Sequence, residues 1–307
     1  MSSNLVSITF TRWFLAKSKT AHRGFTLIEL LVAIAVGSVI IGSLLYLVVE
    51  LLGTNAREER LTQSQQDVRR ALDYISRDVR EAVYVYSTPA NVINQLTDEP
   101  PGTTPILAFW RLQPINVGAL PATCAGTTAE ECNTLKIRHN VYNLVVYLYR
   151  NNTDSSFWSG PGRIIRYELT NYSNLGNLTP TSGYSDPSKP GNDFEDWQKG
   201  AGNTQGRAVV LTDFIDNHDA TTAVTCPTAL LPSPANGPNV SNNFFACVRD
   251  GGDIGDSLNQ SLYVFLRGST VEASSGTTLT FGPSSRASRL PTINTEVQVR
   301  GIIEKSE

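Results

Sequence analysis

Histidine is scarce in this sequence, proline is missing from its first quarter, and no block of one charge dominates it. Of 307 residues three are histidines, and only His139 and His218 lie beyond residue 24. There is no GxSxG elbow, P-loop, HExxH helix or dinucleotide fingerprint, so the usual constellations for nucleophilic, phosphoryl-transfer and zinc chemistry are missing. Charged residues make up 17% of the chain, with 25 basic against 28 acidic and a net charge of −3. The first 24 residues hold Arg12, Lys17, Lys19 and Arg23 and no acid, which leaves 21 basic against 28 acidic, or −7, for the rest. A general nucleic-acid binder needs a basic footprint that this balance does not supply. The first proline is Pro89, so nothing earlier removes a helical N–H.

Cysteine is sparse too. Cys124, Cys132, Cys226 and Cys247 fit neither a CxxC redox motif nor a zinc site. In an exported domain they read as two local disulfides, Cys124 with Cys132 and Cys226 with Cys247, each contributing about 2–4 kcal/mol. In a reducing compartment the same residues read as free buried thiols.

What the chain does have is one long apolar run. Leu30 to Val49 carries no charge, and about 20 such residues span a hydrocarbon core. A secretory signal places a shorter run after its basic residues and ends it at small residues, whereas here the run opens directly behind Gly24. The basic residues before it predict a cytoplasmic N-terminus and an exported remainder. Glu29, near the start of the run, is the anomaly. A lone carboxylate in a span costs at least ~2.5 kcal/mol and therefore needs a partner. Cleavage after Gly24 would make Glu29 the fifth residue and supply one, the new ammonium of Phe25 on a neighbouring helix. The plainer alternative is a carboxylate reaching the membrane interface.

Beyond Leu52 the apolar positions Leu61, Val68, Leu72, Ile75, Val79 and Ala82 recur at spacings of 7, 4, 3, 4 and 3. That is one stripe of an amphipathic helix, with Asp67, Arg69, Arg70, Asp73, Arg77, Asp78, Arg80 and Glu81 assigned to its other positions. A helix unbroken from Phe25 to about Tyr84 would be ~90 Å long. A two-stranded coiled coil is the competing reading of the stripe.

After a turn-rich connector at 89–105, β-prone runs follow at 106–112, 135–138, 143–150, 163–170, 208–215, 244–248, 261–267 and 292–303. In the last, Ile293, Val297 and Val299 alternate with Asn294, Glu296, Gln298 and Arg300, which predicts a sheet with one covered face. The expected fold class is α+β: a long N-terminal helix packed on an antiparallel sheet, with long loops at about 171–206, 216–243 and 268–290 that are functional or mobile.

The stretch Arg23-Gly24-Phe25-Thr26-Leu27-Ile28-Glu29-Leu30-Leu31-Val32-Ala33 resembles the class III signal of type IV prepilins and type II secretion pseudopilins. The resemblance implies a pilin-like fold, cleavage after Gly24 by a prepilin peptidase, methylation of Phe25, and Glu29 as the assembly residue. It implies a leader at 1–24, a transmembrane or filament-core helix at 25–52, its amphipathic continuation at 53–86 and an exported β-rich domain at 87–307. The partners implied are the peptidase, other pilins or pseudopilins, an inner-membrane assembly platform and membrane lipid, with the globular domain periplasmic. Many major pilins carry a proline midway along the span; this chain has Gly37, Gly42 and Gly53 instead, which points toward a pseudopilin or minor pilin. The helix sequence around Asp73–Val83, the large domain and the missing proline resemble minor subunits of the PilW or GspJ type. The stretches 106–111 and 143–150 are similar to pseudopilins of cyanobacterial hormogonium polysaccharide secretion.

A structural, non-catalytic subunit is thus the leading expectation, without cofactor. A tip-located minor pilin that binds DNA or a surface is its rival, and the only version with a nucleic-acid partner. Asp213, Asp216, His218 and Asp219 read as a solvated turn after a strand. Asp250, Asp253 and Asp256 stand among glycines, as calcium-binding oxygens do, yet without EF-hand spacing and in ordinary turn sequence. No metal is expected, and that loop is the one calcium candidate.

Overall fold

The computed structural model describes residues 24–153, 155, 157–217, 226–235, 243–249, 260–270 and 290–300. The chain divides into two compact units between Ala56 and Arg57. The fold is α+β. Helix α1 covers Leu27–Arg80, and its part beyond residue 56 belongs to the second unit.

Two antiparallel sheets build the second unit. The larger has the order β1-β2-β3-β4-β7, from Ala82–Val85, Thr103–Pro114, Asn140–Asn151, Gly162–Leu169 and Arg207–Thr212. The smaller has the order β11-β10-β9-β8, from Ile293–Gln298, Ser261–Leu266, Phe244–Arg249 and Leu230–Ser233. A short hairpin joins β5 (Tyr172–Asn174) to β6 (Thr179–Pro180). The expected stripe Val68, Leu72, Ile75 and Val79, joined by Ala71, packs in one core with Phe109, Tyr147 and Ile164 of the larger sheet. Phe244, Val248, Leu262, Val264 and Val297 of the smaller sheet complete that core. Val297 and Val299 are buried and Glu296 and Gln298 exposed, as the alternation predicts.

Several local expectations need correction. The helix stops at Arg80, not near Tyr84, because Ala82–Val85 pairs with Phe109–Arg111. The run Val83-Tyr84-Val85-Tyr86 is β-branched and aromatic, and suits a sheet edge better than a helix. Residues 135–138 are not a strand but the last turn of α3, Ala129–Arg138. Glu130 and Glu131 in its first turn and Lys136 and Arg138 in its last match the helix dipole. His139 closes it in the left-handed region at φ 57°, its N–H donating to the Leu135 carbonyl. The connector after residue 88 contains α2, Pro89–Ile93. The span 216–243 includes β8, and most of 268–290 lies outside the described residues.

The segment 171–206, expected to be functional or mobile, covers the outer face of the larger sheet. Trp197, Phe194 and Tyr184 pack there with Tyr86, Trp110 and Tyr142. Asp98 holds its far end, accepting from Tyr167 Oη at 2.7 Å, Thr204 Oγ1 at 2.5 Å and the Gly206 N–H at 2.6 Å. With both faces covered, β3 is buried almost throughout, which explains a nearly continuous apolar run where alternation would mark a one-sided sheet.

Gln260 fastens the smaller sheet to the edge strand β1. Its side chain accepts from the Val85 N–H at 2.9 Å and donates to the Val85 carbonyl at 3.1 Å, imitating a neighbouring strand. Gln260→Leu keeps the volume but leaves two buried backbone groups unpaired, at about 1–3 kcal/mol for each group so stranded. A urea midpoint equal to wild type would show that the two sheets dock without this amide.

Candidate functional site

Gly24 and Phe25 precede α1, and Thr26 stands at its N-terminal boundary. The Thr26 hydroxyl accepts from the Glu29 N–H at 3.3 Å, and the Thr26 carbonyl accepts from the N–H groups of Glu29 at 3.0 Å and Leu30 at 3.2 Å. Thr-x-x-Glu is the spacing of a capping box, in which the hydroxyl satisfies one donor that the first turn leaves open. Glu29 sits in that first turn, where the helix dipole favours a carboxylate. The dipole contributes about 0.3–1 kcal/mol, less than the ~2.5 kcal/mol or more that a carboxylate costs in lipid. Local structure therefore helps Glu29 but does not replace a partner.

Behind this turn the helix is bare. The large apolar side chains from Phe25 to Leu52 are between 48% and 83% exposed. Leu27–Asn55 contains an 18-residue stretch with a mean hydropathy of 2.5, none of it buried, and is long and apolar enough to cross a membrane. At about 25 cal/mol per Å2, an uncovered apolar surface of this extent demands lipid or protein around it. Its serine and threonine hydroxyls are already satisfied: Ser38 donates to the Ala35 carbonyl, Ser43 to Ile40 and Thr54 to Glu50, at 2.8, 2.8 and 3.0 Å. An apolar environment thus strands none of these three hydroxyl protons.

Where α1 meets the larger sheet, the sequence reading missed a buried ion network. Asp78, assigned to the exposed face, is 5% exposed. It lies three residues after Ile75 and four before Ala82, so helical spacing already places it on the buried stripe. Its carboxylate accepts from Arg111 Nη1 at 2.6 Å, Arg166 Nε at 2.7 Å and Tyr147 Oη at 2.8 Å. Glu168 balances the second positive charge, accepting from Arg166 Nη1 at 2.6 Å and from Asn143 Nδ2 at 2.9 Å. Burial first, then the Asp78 carboxylate, pushes the Tyr147 hydroxyl well above its ordinary range and keeps it a donor. Burial alone would lower the Arg166 guanidinium, but its bonds to Asp78 and Glu168 outweigh that and raise it. One helical carboxylate is thereby bound to β2, β3 and β4 at once.

The four cysteines form the two expected disulfides, Cys124–Cys132 and Cys226–Cys247, with Cα separations of 5.5 and 5.6 Å. The solvated turn is a correction: Asp216 is fully buried and paired with Arg267 at 2.7 Å, since β-bridging of Ile215 with Gly268 carries it inside. Asp213 accepts from Asn152 Nδ2 at 2.8 Å and the Gly160 N–H at 3.0 Å, bracing a loop. His218 and Asp219 lie outside the described residues, as do Asp250, Asp253 and Asp256 of the calcium candidate. Among the described residues no three of His, Cys, Asp and Glu gather as a metal site.

One family model, the prokaryotic N-terminal methylation motif, matches residues 19–45, which cover Gly24, Phe25, Glu29 and the first turns of the exposed apolar helix. No characterised protein and no solved structure matches the chain. The chain carries the N-terminal methylation signature of a type IV pilin-like precursor.

Proposed function

We propose that this chain is a non-catalytic pseudopilin or minor pilin subunit, made as a membrane-inserted precursor. A prepilin peptidase removes residues 1–24 and the new N-terminus at Phe25 is methylated. The helix at 25–52 then passes from the bilayer into a filament, where Glu29 meets the N-terminal amine of an adjacent subunit. Residues 53–86 continue out of the membrane, and residues 87–307 form the exported domain on the periplasmic side. The observation that carries the reading is the coincidence of the methylation motif with a capped helix whose apolar segment Leu27–Asn55 is uncovered. Its partners are the peptidase, other pilins or pseudopilins, the inner-membrane assembly platform and lipid.

Within this class the assignment to minor or pseudopilin subunits of the PilW or GspJ type rests on the helix sequence around Asp73–Val83, on a span without proline and on the large exported domain. The two stretches that resemble hormogonium polysaccharide secretion pseudopilins such as HpsC fall in the paired strands β2 and β3. They support a role in polysaccharide export linked to gliding.

Processing tests the reading directly. Mature protein should begin at Phe25, by N-terminal sequencing or intact mass. Gly24→Ala should retain the leader, whereas Glu29→Ala should be cleaved normally yet drop out of sheared filament fractions. A native protein that keeps its leader, or a Glu29→Ala protein that assembles at wild-type level, would overturn the respective assignment.

A further inference from the structure

The β3–β4 connection presents an aromatic pair at its tip. Phe157 is 82% exposed, and its ring meets that of Trp158 edge-on at 5.2 Å. Isolated exposed apolar residues such as Ile137 need no explanation. This pair differs because buried polar groups brace the described residues on either side of it. Asn152, 1% exposed, donates to the Gly160 carbonyl and to Asp213, each at 2.8 Å, and Arg163 reaches back to Asn152. The N–H groups of Phe157 and Trp158 donate to Ser155 Oγ at 3.3 and 3.2 Å, and Arg163 lies over the Trp158 ring at 5.4 Å. The fold builds a shaped support under two large side chains and leaves one of them in the open.

The position of the tip says what it faces. At its base, the Gly162 carbonyl accepts from the Ile215 N–H at 2.8 Å, and Ile215 bridges Gly268. A Cβ on Gly268 would lie 2.5 Å from Val68, and the neighbouring Ser269 carbonyl accepts from Ser64 Oγ at 3.0 Å. Asp78, further along α1, instead bonds Tyr147 and Arg166 in the middle of β3 and β4. The tip therefore stands at the end of the second unit where α1 enters it. Ser64 follows Asn55, the last residue of the apolar segment, by nine positions, a tether of no more than ~32 Å even fully extended.

From this placement we infer that the Phe157–Trp158 tip docks into the headgroup region of the bilayer that holds the apolar helix. Aromatic side chains with one apolar and one polar aspect prefer that interface, and Trp most of all. Arg150 near the base of the hairpin is offset in sequence by Asp154, so the attraction is aromatic burial and does not require anionic lipid. The inference rests on the membrane insertion proposed above.

Full-length protein reconstituted at low density in phosphatidylcholine vesicles, with plain or brominated acyl chains, provides the test. The chain has four tryptophans, and the difference between wild type and Trp158→Phe isolates the emission of Trp158. That emission should be lost in brominated bilayers. Phe157→Ser should weaken the quenching while leaving the urea midpoint unchanged, because the side chain it removes is exposed. Protein that floats with the vesicles but shows unquenched Trp158 overturns the tip assignment and leaves membrane insertion standing. Protein that does not float overturns both. Emission that follows protein density rather than bromination would give the tip to a second copy of the chain and also overturn the inference.

Discussion

Asp78→Ala should destabilise the second unit by about 3–5 kcal/mol, because it leaves Arg111 and Arg166 charged and half-sequestered without their shared acceptor. An exposed ion pair contributes at most about 1 kcal/mol. The difference comes from burial: the Asp78 side chain is 3% exposed, and those of Arg111 and Arg166 are 16% and 13%. Tyr147 Oη would lose its acceptor in the same step. The loss should survive 1 M salt, since screening acts on solvent-exposed charges. Replacing Asp78, Arg111, Arg166 and Glu168 together with apolar side chains of similar volume, and Tyr147 with Phe, should recover most of the stability, as desolvated charge is then removed and not orphaned. Urea unfolding followed by circular dichroism measures both. A single-variant cost below about 1 kcal/mol would show that the network behaves as a surface pair and does not lock α1 to the sheet.

Trp197→Ala should cost about 3–5 kcal/mol and uncover the outer face of the larger sheet. The Trp197 ring meets Trp110 edge-on at 5.6 Å, and its Nε1 donates to the Ser185 carbonyl at 2.9 Å. Nearby, Trp110 Nε1 donates to Tyr86 Oη at 2.8 Å, and Tyr86 Oη to the Phe194 carbonyl at 2.5 Å. Removing one ring thus loosens a chain of contacts between the covering segment and the strands. Segments held by few side-chain anchors open locally before the whole domain unfolds. Limited proteolysis should accordingly cut between residues 185 and 200 at protease levels that spare wild type. Equal cleavage of the two proteins would mean that the remaining contacts hold the segment without the Trp197 ring.

The N-terminal third was legible because its signals are local. A charge-free run, a glycine before it, an acid in its first turn and a stripe at helical spacing need no distant residue to be recognised. The positions of β2, β3, β4, β9 and β10 were close for the same reason, since their β-branched and aromatic runs are dense. Misreadings arose where the deciding partner lies far away in sequence. Ala82–Val85 left the helix because β2 offered it a ladder, and residues 135–138 joined a short helix closed by His139 and tied at Cys132.

Sequence alone determined that this chain has an apolar helix behind a processing-like glycine and a β-rich domain after it, while it left the four cysteines open between two local disulfides and free thiols. Each follows from composition and periodicity within a few turns of chain. Tertiary structure decided the rest: that Asp78 is buried among two arginines and a tyrosine, that residues 171–206 cover a sheet, and that Phe157 stands at the end where α1 enters the domain. An isolated carboxylate on a helix belongs in water by its own chemistry. Only the arginines brought by β2 and β4, 33 and 88 residues away, make its burial favourable.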